Sequence, residues 1–229
     1  MSFTPLWIAL LIAALDWLAL FNDWKTVRYF SKPGVLILLI GWMWAVAGLG
    51  YPVYLFLLGL VFSLAGDIFL LLPRERFILG LVFFLLANIS YTLGFNYRNF
   101  PVNLATPILM VLVILPATQL YRRISESLAA GENNRLRLPV LVYTLGISLM
   151  VVSALLTLVQ PEWRWLTIPS WLVSSGAILF FISDALLAWN RFVSPIPLGH
   201  LLVMVTYHLA QIAIAVGVVV NFTLLASQS

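Results

Sequence analysis

The chain has 229 residues, of which 63% are hydrophobic and only 9% are charged. Soluble domains carry roughly 45–50% apolar and about 25% charged residues, so 12 basic and 8 acidic side chains are too few to cover a surface that faces water. This composition excludes a soluble enzyme, a nucleic-acid-binding module and a disordered chain, and the absence of cysteine excludes a disulfide scaffold or a cysteine nucleophile. We therefore predict an integral membrane protein with no nucleic-acid partner.

Apolar stretches of about 20 residues, the length that a membrane helix needs, predict an all-α bundle of eight membrane spans in one domain. We place the spans at about 6–21, 33–50, 52–72, 77–97, 104–121, 138–159, 165–189 and 197–226. The shortest connection is a tight turn from Gly48 to Pro52, and the longest is a polar loop from Arg122 to Arg137.

The basic residues predict the orientation of the bundle. Because positively charged loops remain in the cytoplasm, the side that carries ten of the twelve basic residues is predicted to be cytoplasmic, and both termini are predicted to be outside. Both lysines, Lys25 and Lys32, are expected in the loop between spans one and two, so no lysine is expected at membrane depth. The ten residues on this side are Lys25, Arg28, Lys32, Arg74, Arg76, Arg122, Arg123, Arg135, Arg137 and Arg191.

Spans three and seven share a pattern. Gly66-Asp67 runs on to Arg76-Phe77, and Ser183-Asp184 runs on to Arg191-Phe192. Each pattern is followed by a helix with glycine near its start and tyrosine further in. This similarity predicts a weak repeat of four plus four helices, over residues 1–121 and 138–229, of the kind found in transporters.

Three carboxylates interrupt the apolar spans: Asp16, Asp67 and Asp184. A carboxylate at membrane depth costs about 2.5–3.5 kcal/mol even on insertion scales. Each lies some five to seven residues before the predicted cytoplasmic end of its span, roughly 8–10 Å deep at about 1.5 Å per residue. We expect the three to share one cavity; the alternative is that each caps a neighbouring helix or pairs with a loop arginine.

The helices that return from the cytoplasmic side supply further polar groups. Asn88 and Tyr91 lie three residues apart, Tyr207 and Gln211 lie four apart, and each pair therefore occupies one helix face. We expect these four residues to contact the substrate. His208 is turned about 100° from Tyr207. Small residues are expected to permit close helix packing (Gly59, Gly146 and Gly176), and tryptophans near span ends are expected to anchor the protein at the membrane interface (Trp7, Trp24, Trp163, Trp165 and Trp189).

The motifs of serine esterases and zincins do not occur in this sequence, which leaves carboxylate chemistry or proton coupling. Two buried carboxylates a few ångströms apart do not both ionise readily, so one is expected to keep its proton while the other is charged. Such a pair supplies a general acid and an anion that stabilises a developing cation, as in glycoside hydrolases. Acid hydrolysis of a lipid vinyl ether passes through a similar cation and needs no metal or cofactor.

The sequence resembles the YhhN-like family of integral membrane proteins, the lysoplasmalogenases. The resemblance rests on several short motifs in a fixed order: Asp16-Trp17, Lys32-Pro33, Gly66 to Pro73, then Phe77, Gly80 and Tyr91, and finally Ser183-Asp184, Arg191-Phe192, Tyr207 and Gln211. It implies an eight-helix bundle that cleaves the alkenyl ether of lysoplasmalogens to a fatty aldehyde and glycerophospho-ethanolamine or -choline.

The resemblance also implies roles for individual residues. Asp67 and Asp184 would be the catalytic pair, with Tyr207 and Gln211 lining the pocket. Asp16 would help to orient water and the ether oxygen, and Arg74, Arg76 or Arg191 would hold the phosphate of the lysophospholipid. Asn88 stands where the family often has histidine, which affects proton transfer if that histidine takes part in it.

Two other functions fit membrane carboxylates. A proton-coupled transporter or lipid flippase also uses acidic residues within its helices, but it would move substrate without forming product. An intramembrane aspartyl protease carries Tyr-Asp and Gly-x-Gly-Asp motifs, whereas Asp184 here follows Ser183 and Leu64 stands three residues before Asp67. We therefore favour the ether hydrolase, in a bacterial plasma membrane.

Overall fold

The computed structural model describes residues 4–72, 76–100, 102–131, 133–161 and 164–227. Within these residues there are eight long α-helices and no strand, and each of the eight is long and apolar enough to cross a membrane. The predicted all-α fold with eight spans is confirmed, and the protein is an integral, multi-pass membrane protein. The helices are α1 (Thr4–Phe21), α2 (Lys25–Ala47), α3 (Val53–Leu71), α4 (Phe77–Phe95), α5 (Ala105–Ala130), α6 (Arg137–Leu156), α7 (Thr167–Phe192) and α8 (Gly199–Ala226).

Helix α2 begins eight residues earlier than predicted, at Lys25 instead of residue 33. Pro33 lies inside the helix, although proline usually marks the first turn of a helix. Proline is tolerated within membrane helices because neighbouring groups satisfy the freed carbonyl. The placement of Lys32 in a loop is therefore wrong, since this lysine is helical and only 4% exposed.

Helix α5 continues nine residues beyond its predicted end, to Ala130. The side chains of Ile124 and Leu128 are buried against Val140 of α6 in a small apolar cluster. Most of the predicted polar loop from Arg122 to Arg137 is therefore helical, because its apolar residues recur every four positions and cover the start of α6.

Neighbouring helices pack as antiparallel pairs, most extensively α7 with α8, α3 with α4 and α1 with α2. Helix α8 also contacts α1, α2 and α3, whereas α5 packs against α6 and α7. The N-terminal half of α8 therefore lies where side chains from α1, α2, α3 and α7 can reach it, and this junction holds the polar residues described below.

The glycines expected at helix contacts do lie there. A Cβ atom at Gly176 of α7 would be 2.9 Å from the Ala210 carbonyl oxygen of α8. At Gly59 it would overlap with the Tyr91 ring, and at Gly146 it would overlap with the Leu85 side chain. A larger side chain at Gly176 would force the two helices apart because it meets backbone, whereas at Gly59 and Gly146 the neighbouring side chains would have to shift.

Trp165 is the exception among the tryptophans expected at the membrane interface. Trp7 and Trp24 are exposed, Trp189 is half-buried, and Trp163 lies outside the described residues. Trp165 is only 1% exposed, so its assignment as an anchor is wrong. Its indole turns back into the bundle, where ring contacts bury it against three other aromatic residues (Phe56, Phe95 and Phe222).

Candidate functional site

A cavity of about 370 Å³ lies among the ends of α2, α3, α7 and α8, and we call it the polar cavity. Asp67 of α3 and Asp184 of α7 both line it, together with Tyr207 of α8. The two aspartates of the predicted catalytic pair therefore face one cavity.

Asp67 is held by two partners from different helices. Its Oδ1 atom lies 2.9 Å from Nζ of Lys32, and its Oδ2 atom accepts a hydrogen bond of 2.8 Å from the Tyr207 hydroxyl. Both members of the ion pair are buried, at 4% and 1% exposure. A cation on one oxygen and a hydroxyl donor on the other both favour the ionised carboxylate.

Asp184 has a different environment, because its partner is an uncharged group. The Tyr143 hydroxyl of α6 donates a hydrogen bond to Oδ2 of Asp184, and the Asn88 amide lies beside that hydroxyl without a well-aligned hydrogen bond. Among the described residues no basic side chain forms an ion pair with Asp184. The two carboxylates in the cavity are thus unequal: one is neutralised by lysine and the other is not.

A second row of polar residues lies behind Tyr207. Tyr91 of α4 donates a hydrogen bond of 2.7 Å to Oε1 of Gln211, and the Gln211 amide lies beside the Tyr207 hydroxyl. Asn88, Tyr91 and Gln211 are all fully buried, and none of them lines the polar cavity. Their predicted contact with the substrate stays a prediction. In this structure Gln211 lies beside Tyr207 and Asn88 lies beside Tyr143, so they help to position these two tyrosines.

Asp16 does not line the polar cavity with the other two aspartates. Its Oδ1 atom accepts a hydrogen bond of 2.6 Å from Ser31 and lies 4.0 Å from Nε of Arg28. For Asp16 the structure thus matches the alternative of pairing with an arginine. The next residue, Trp17, donates a hydrogen bond of 3.1 Å to Nδ1 of His208, so His208 faces α1 while Tyr207 faces the cavity.

The basic residues considered for phosphate binding lie in different places. Arg191 lines the polar cavity, and its guanidinium lies 4.3 Å from the centre of the Phe77 ring. Arg76 is exposed just before α4 and does not line this cavity, whereas Arg74 lies outside the described residues. Sequence reasoning missed three basic residues of this cavity, Arg28, Lys32 and His200.

A smaller apolar cavity of about 50 Å³ adjoins the polar one. It lies among α4, α5, α6 and α7, and both cavities are lined by Asp184 and Phe84. Asp184 therefore lies at the junction between the polar cavity and the apolar one. Apolar side chains make up most of the smaller cavity's wall, among them Phe77, Leu81, Leu120, Ile124, Ile147 and Phe181.

Comparison with known proteins identifies relatives of this chain. It is 30% identical over 170 residues to "Lysoplasmalogenase TMEM86A" of Bos taurus, and the aligned region covers 70% of this chain and 63% of the bovine protein. It is 29% identical over 199 residues to "Lysoplasmalogenase TMEM86B" of Mus musculus, covering 87% and 77% of the two chains. The "Uncharacterized membrane protein YhhN" of Escherichia coli O157:H7 is 28% identical over 187 residues, covering 78% and 82%. No solved structure matches.

The chain spans less than two thirds of the length of its bovine relative. Its match to the YhhN family runs over residues 27–218, from the first turn of α2 into α8. The match includes Lys32, Asp67, Asp184 and Tyr207, and Asp16 in α1 lies outside it. Since it covers most of the sequence and every side chain of the polar cavity, the chain belongs to the YhhN family.

Proposed function

We propose that this protein is a lysoplasmalogenase-type hydrolase of a bacterial plasma membrane. It would cleave the vinyl ether of a lysoplasmalogen to a fatty aldehyde and glycerophospho-ethanolamine or -choline. The observation that carries the proposal is the position of Asp184, a buried acid at the junction of a polar and an apolar cavity. The two mammalian relatives that bear the name lysoplasmalogenase support the same reaction.

The two cavities match the two ends of such a lipid. The vinyl ether joins the hydrocarbon chain to the glycerol, so it is the point at which an apolar substrate becomes polar. With the start of the hydrocarbon chain at the apolar cavity and the glycerol in the polar cavity, the ether lies beside Asp184 and Phe84. Phe84 offers an apolar wall at the junction, which limits the access of water to the double bond.

The first step is protonation of carbon. Asp184 is the better proton donor, because it lacks the lysine that keeps Asp67 ionised. Its proton forms a new C–H bond at the alkene carbon remote from oxygen, the π electrons supply that bond, and the ether oxygen stabilises the cation at the other carbon. The Asp67 carboxylate faces the same space and stabilises this oxocarbenium-like charge.

Water completes the reaction. It attacks the cationic carbon and gives a proton back to the Asp184 carboxylate, which restores the acid and forms a hemiacetal. The hemiacetal then loses its hydroxyl proton as the bond between carbon and the glycerol oxygen breaks, and that oxygen takes up a proton. The sum is one lipid and one water consumed, with one aldehyde and one glycerol hydroxyl released.

The first prediction tests this chemistry with two isosteric changes. Asp184→Asn removes the proton donor and Asp67→Asn removes the anion, so each should lower aldehyde release from purified protein and lysoplasmenyl-ethanolamine by at least about a hundredfold. Asp23→Asn is the matched control: this carboxylate is 84% exposed, and asparagine tolerates its left-handed backbone at φ 56°. We expect full activity from the control.

Full activity in either buried-aspartate variant would contradict the mechanism. If the wild-type protein formed no aldehyde but moved the lipid between the leaflets of proteoliposomes, the hydrolase assignment would fail and the transporter alternative would replace it. Unfolding temperatures of the variants, measured in detergent, separate lost chemistry from lost structure.

A further inference from the structure

We infer that Arg28 forms, with Arg191 and His200 of the same cavity, a binding site for the phosphate of the lipid headgroup. The inference rests on the proposed function, which it extends by naming the group that the polar cavity recognises. The ligand class is a glycerol phosphate ester, and the observation that carries it is the arrangement of cations in this cavity.

The charges of the cavity are distributed by depth. Lys32 is almost completely buried and is paired with Asp67, so its charge is already matched. Arg28 lies one helical turn closer to the membrane surface on the same face of α2, and its side chain is 23% exposed. Arg191 and the exposed His200 line the cavity from α7 and α8. The inner part of the cavity therefore holds a neutralised pair, and its outer part is lined by basic side chains.

Arg28 is only loosely held by its carboxylate neighbour. The 4.0 Å between its Nε atom and Oδ1 of Asp16 is beyond hydrogen-bonding distance, and Oδ1 already accepts a short hydrogen bond from Ser31. The buried Nε–H has no hydrogen-bond partner. A partly buried guanidinium with an unused donor is a good ligand for phosphate, which arginine can bind through two parallel hydrogen bonds.

The spacing of the two cations fits the glycerol unit. Four residues separate Lys32 from Arg28, which is about 6 Å along the helix axis. Five bonds join the ether oxygen at one end of glycerol to the phosphorus at the other, and an extended chain advances roughly 1.2 Å per bond, or about 6 Å in all. An ether that is seated beside the inner aspartates therefore places its phosphate at the level of Arg28.

The test is the second prediction, and it compares two substrates. Arg28→Gln should raise KM for lysoplasmenyl-ethanolamine about tenfold or more with a much smaller change in kcat, because a charge-assisted hydrogen bond to the headgroup is lost. The KM for an alkenyl glycerol without phosphate should not rise in this way, so the preference of the enzyme for the phosphate ester collapses. Arg28→Lys keeps the charge but loses the two parallel hydrogen bonds of the guanidinium. Its KM for lysoplasmenyl-ethanolamine should therefore lie between those of the wild type and Arg28→Gln.

Lys25→Gln is the matched control, because it removes a basic charge from the first turn of the same helix, where the side chain is 80% exposed. A similar rise in KM in this control would show a general attraction to the membrane surface and overturn the site. Competition separates two sources of phosphate. Glycerol phosphate should inhibit the wild type more strongly than it inhibits Arg28→Gln. If inorganic phosphate inhibited the wild type as strongly as glycerol phosphate does, and the KM for the lipid were unchanged in Arg28→Gln, the assignment to a lipid headgroup would be overturned.

The headgroup site can be tested even if the proposed reaction fails. A saturated lysophospholipid has no vinyl ether and needs no chemistry to bind. Its affinity for the wild-type protein should be about tenfold or more above that for Arg28→Gln, with monoacylglycerol showing no such difference. Equal affinities of the two proteins for the lysophospholipid would reject the site regardless of any aldehyde assay.

Discussion

Lys32 is the single side chain that makes the two cavity aspartates different. A buried ion pair contributes little net stability, but removal of one partner leaves the other charge uncompensated, at a cost of about 3–5 kcal/mol. Lys32 lies 2.9 Å from Asp67 and has almost no access to water. In the proposed mechanism its role is therefore to hold Asp67 as an anion beside the reacting carbon, so it is a positioning residue and not a catalytic one.

A third prediction follows from this dependence. Lys32→Met should lower the unfolding temperature in detergent and reduce aldehyde release to about the level of Asp67→Asn. The double variant Lys32→Met/Asp67→Asn should regain most of the stability but none of the activity, since the uncompensated charge is gone while the anion is still missing. Lys32→Arg should retain part of both properties.

The exposed Lys25 provides the control for this prediction, and Lys25→Met should change neither property. A double variant whose loss of stability equals the sum of the two single losses would show that Lys32 and Asp67 are not coupled. If Lys32 were purely structural, Lys32→Met would lose stability but keep its aldehyde release per folded molecule.

The sequence predicted the aspartates and Tyr207 better than it predicted their partners. An acidic residue within an apolar span is conspicuous because its cost must be offset by function. Lys32 follows two other basic residues, and that run is typical of a cytoplasmic loop. Tyr143 carries no local signal, because tyrosine is common in membrane helices and its contact with Asp184 depends on how α6 packs against α7.

Among the helices, α2 shows which local signal was available. Lys25, Arg28 and Lys32 are spaced by three and four residues, which is the periodicity of one helix face. Pro33 favours a helix start at that position by the usual rule, and the two signals conflict. Packing decides the outcome, since the extra turns of α2 bring Lys32 to Asp67 of α3.

Helices α7 and α8 carry Asp184 and Tyr207 and approach each other closely at Gly176. A Cβ atom there would meet backbone atoms of α8, 2.9 Å from the Ala210 oxygen and 3.0 Å from the Ile214 nitrogen. Because backbone cannot move aside as a flexible side chain can, any larger residue must separate the two helices.

The fourth prediction is therefore that Gly176→Val destabilises the protein by at least the cost of an overpacked core, about 1–3 kcal/mol, and also lowers aldehyde release. Gly41→Ala is the matched control: it lies inside α2, and no atom stands within 4 Å of the added carbon. Alanine there should stabilise by roughly 0.5–1 kcal/mol through helix propensity. Equal unfolding temperatures for Gly176→Val and the wild type would contradict the close contact.

For the entire bundle, the polar cavity and the basic residues lie at the same end. Arg28 is near the start of α2, Arg191 is near the end of α7, and His200 is near the start of α8. The excess of basic residues at this end predicts that it faces the cytoplasm. A lysophospholipid in the inner leaflet would then present its headgroup to the cavity while its chain stays at membrane depth, in the apolar space between α4 and α7.

The repeat of four plus four helices stays a prediction. If it holds, the two halves contribute Asp67 and Asp184 from corresponding helices, which explains why two acids at one depth reach one cavity. The same arrangement gives them different partners, Lys32 in one half and Tyr143 in the other. Divergence of an internal repeat would thus produce an acid and an anion from one ancestral residue.

Orientation can be measured directly, since the chain contains no cysteine and a single introduced cysteine reports its own side of the membrane. The fifth prediction is that Lys25→Cys reacts with a membrane-impermeant maleimide only after the cells are permeabilised. Lys25 lies in the first turn of α2, at the same end of the bundle as the polar cavity, and its side chain is 80% exposed. Val102→Cys lies between α4 and α5, is 88% exposed, and should react in intact cells. The reverse pattern would place the cavity on the outer face, and the lipid that reaches Arg28 would then come from the outer leaflet of the membrane.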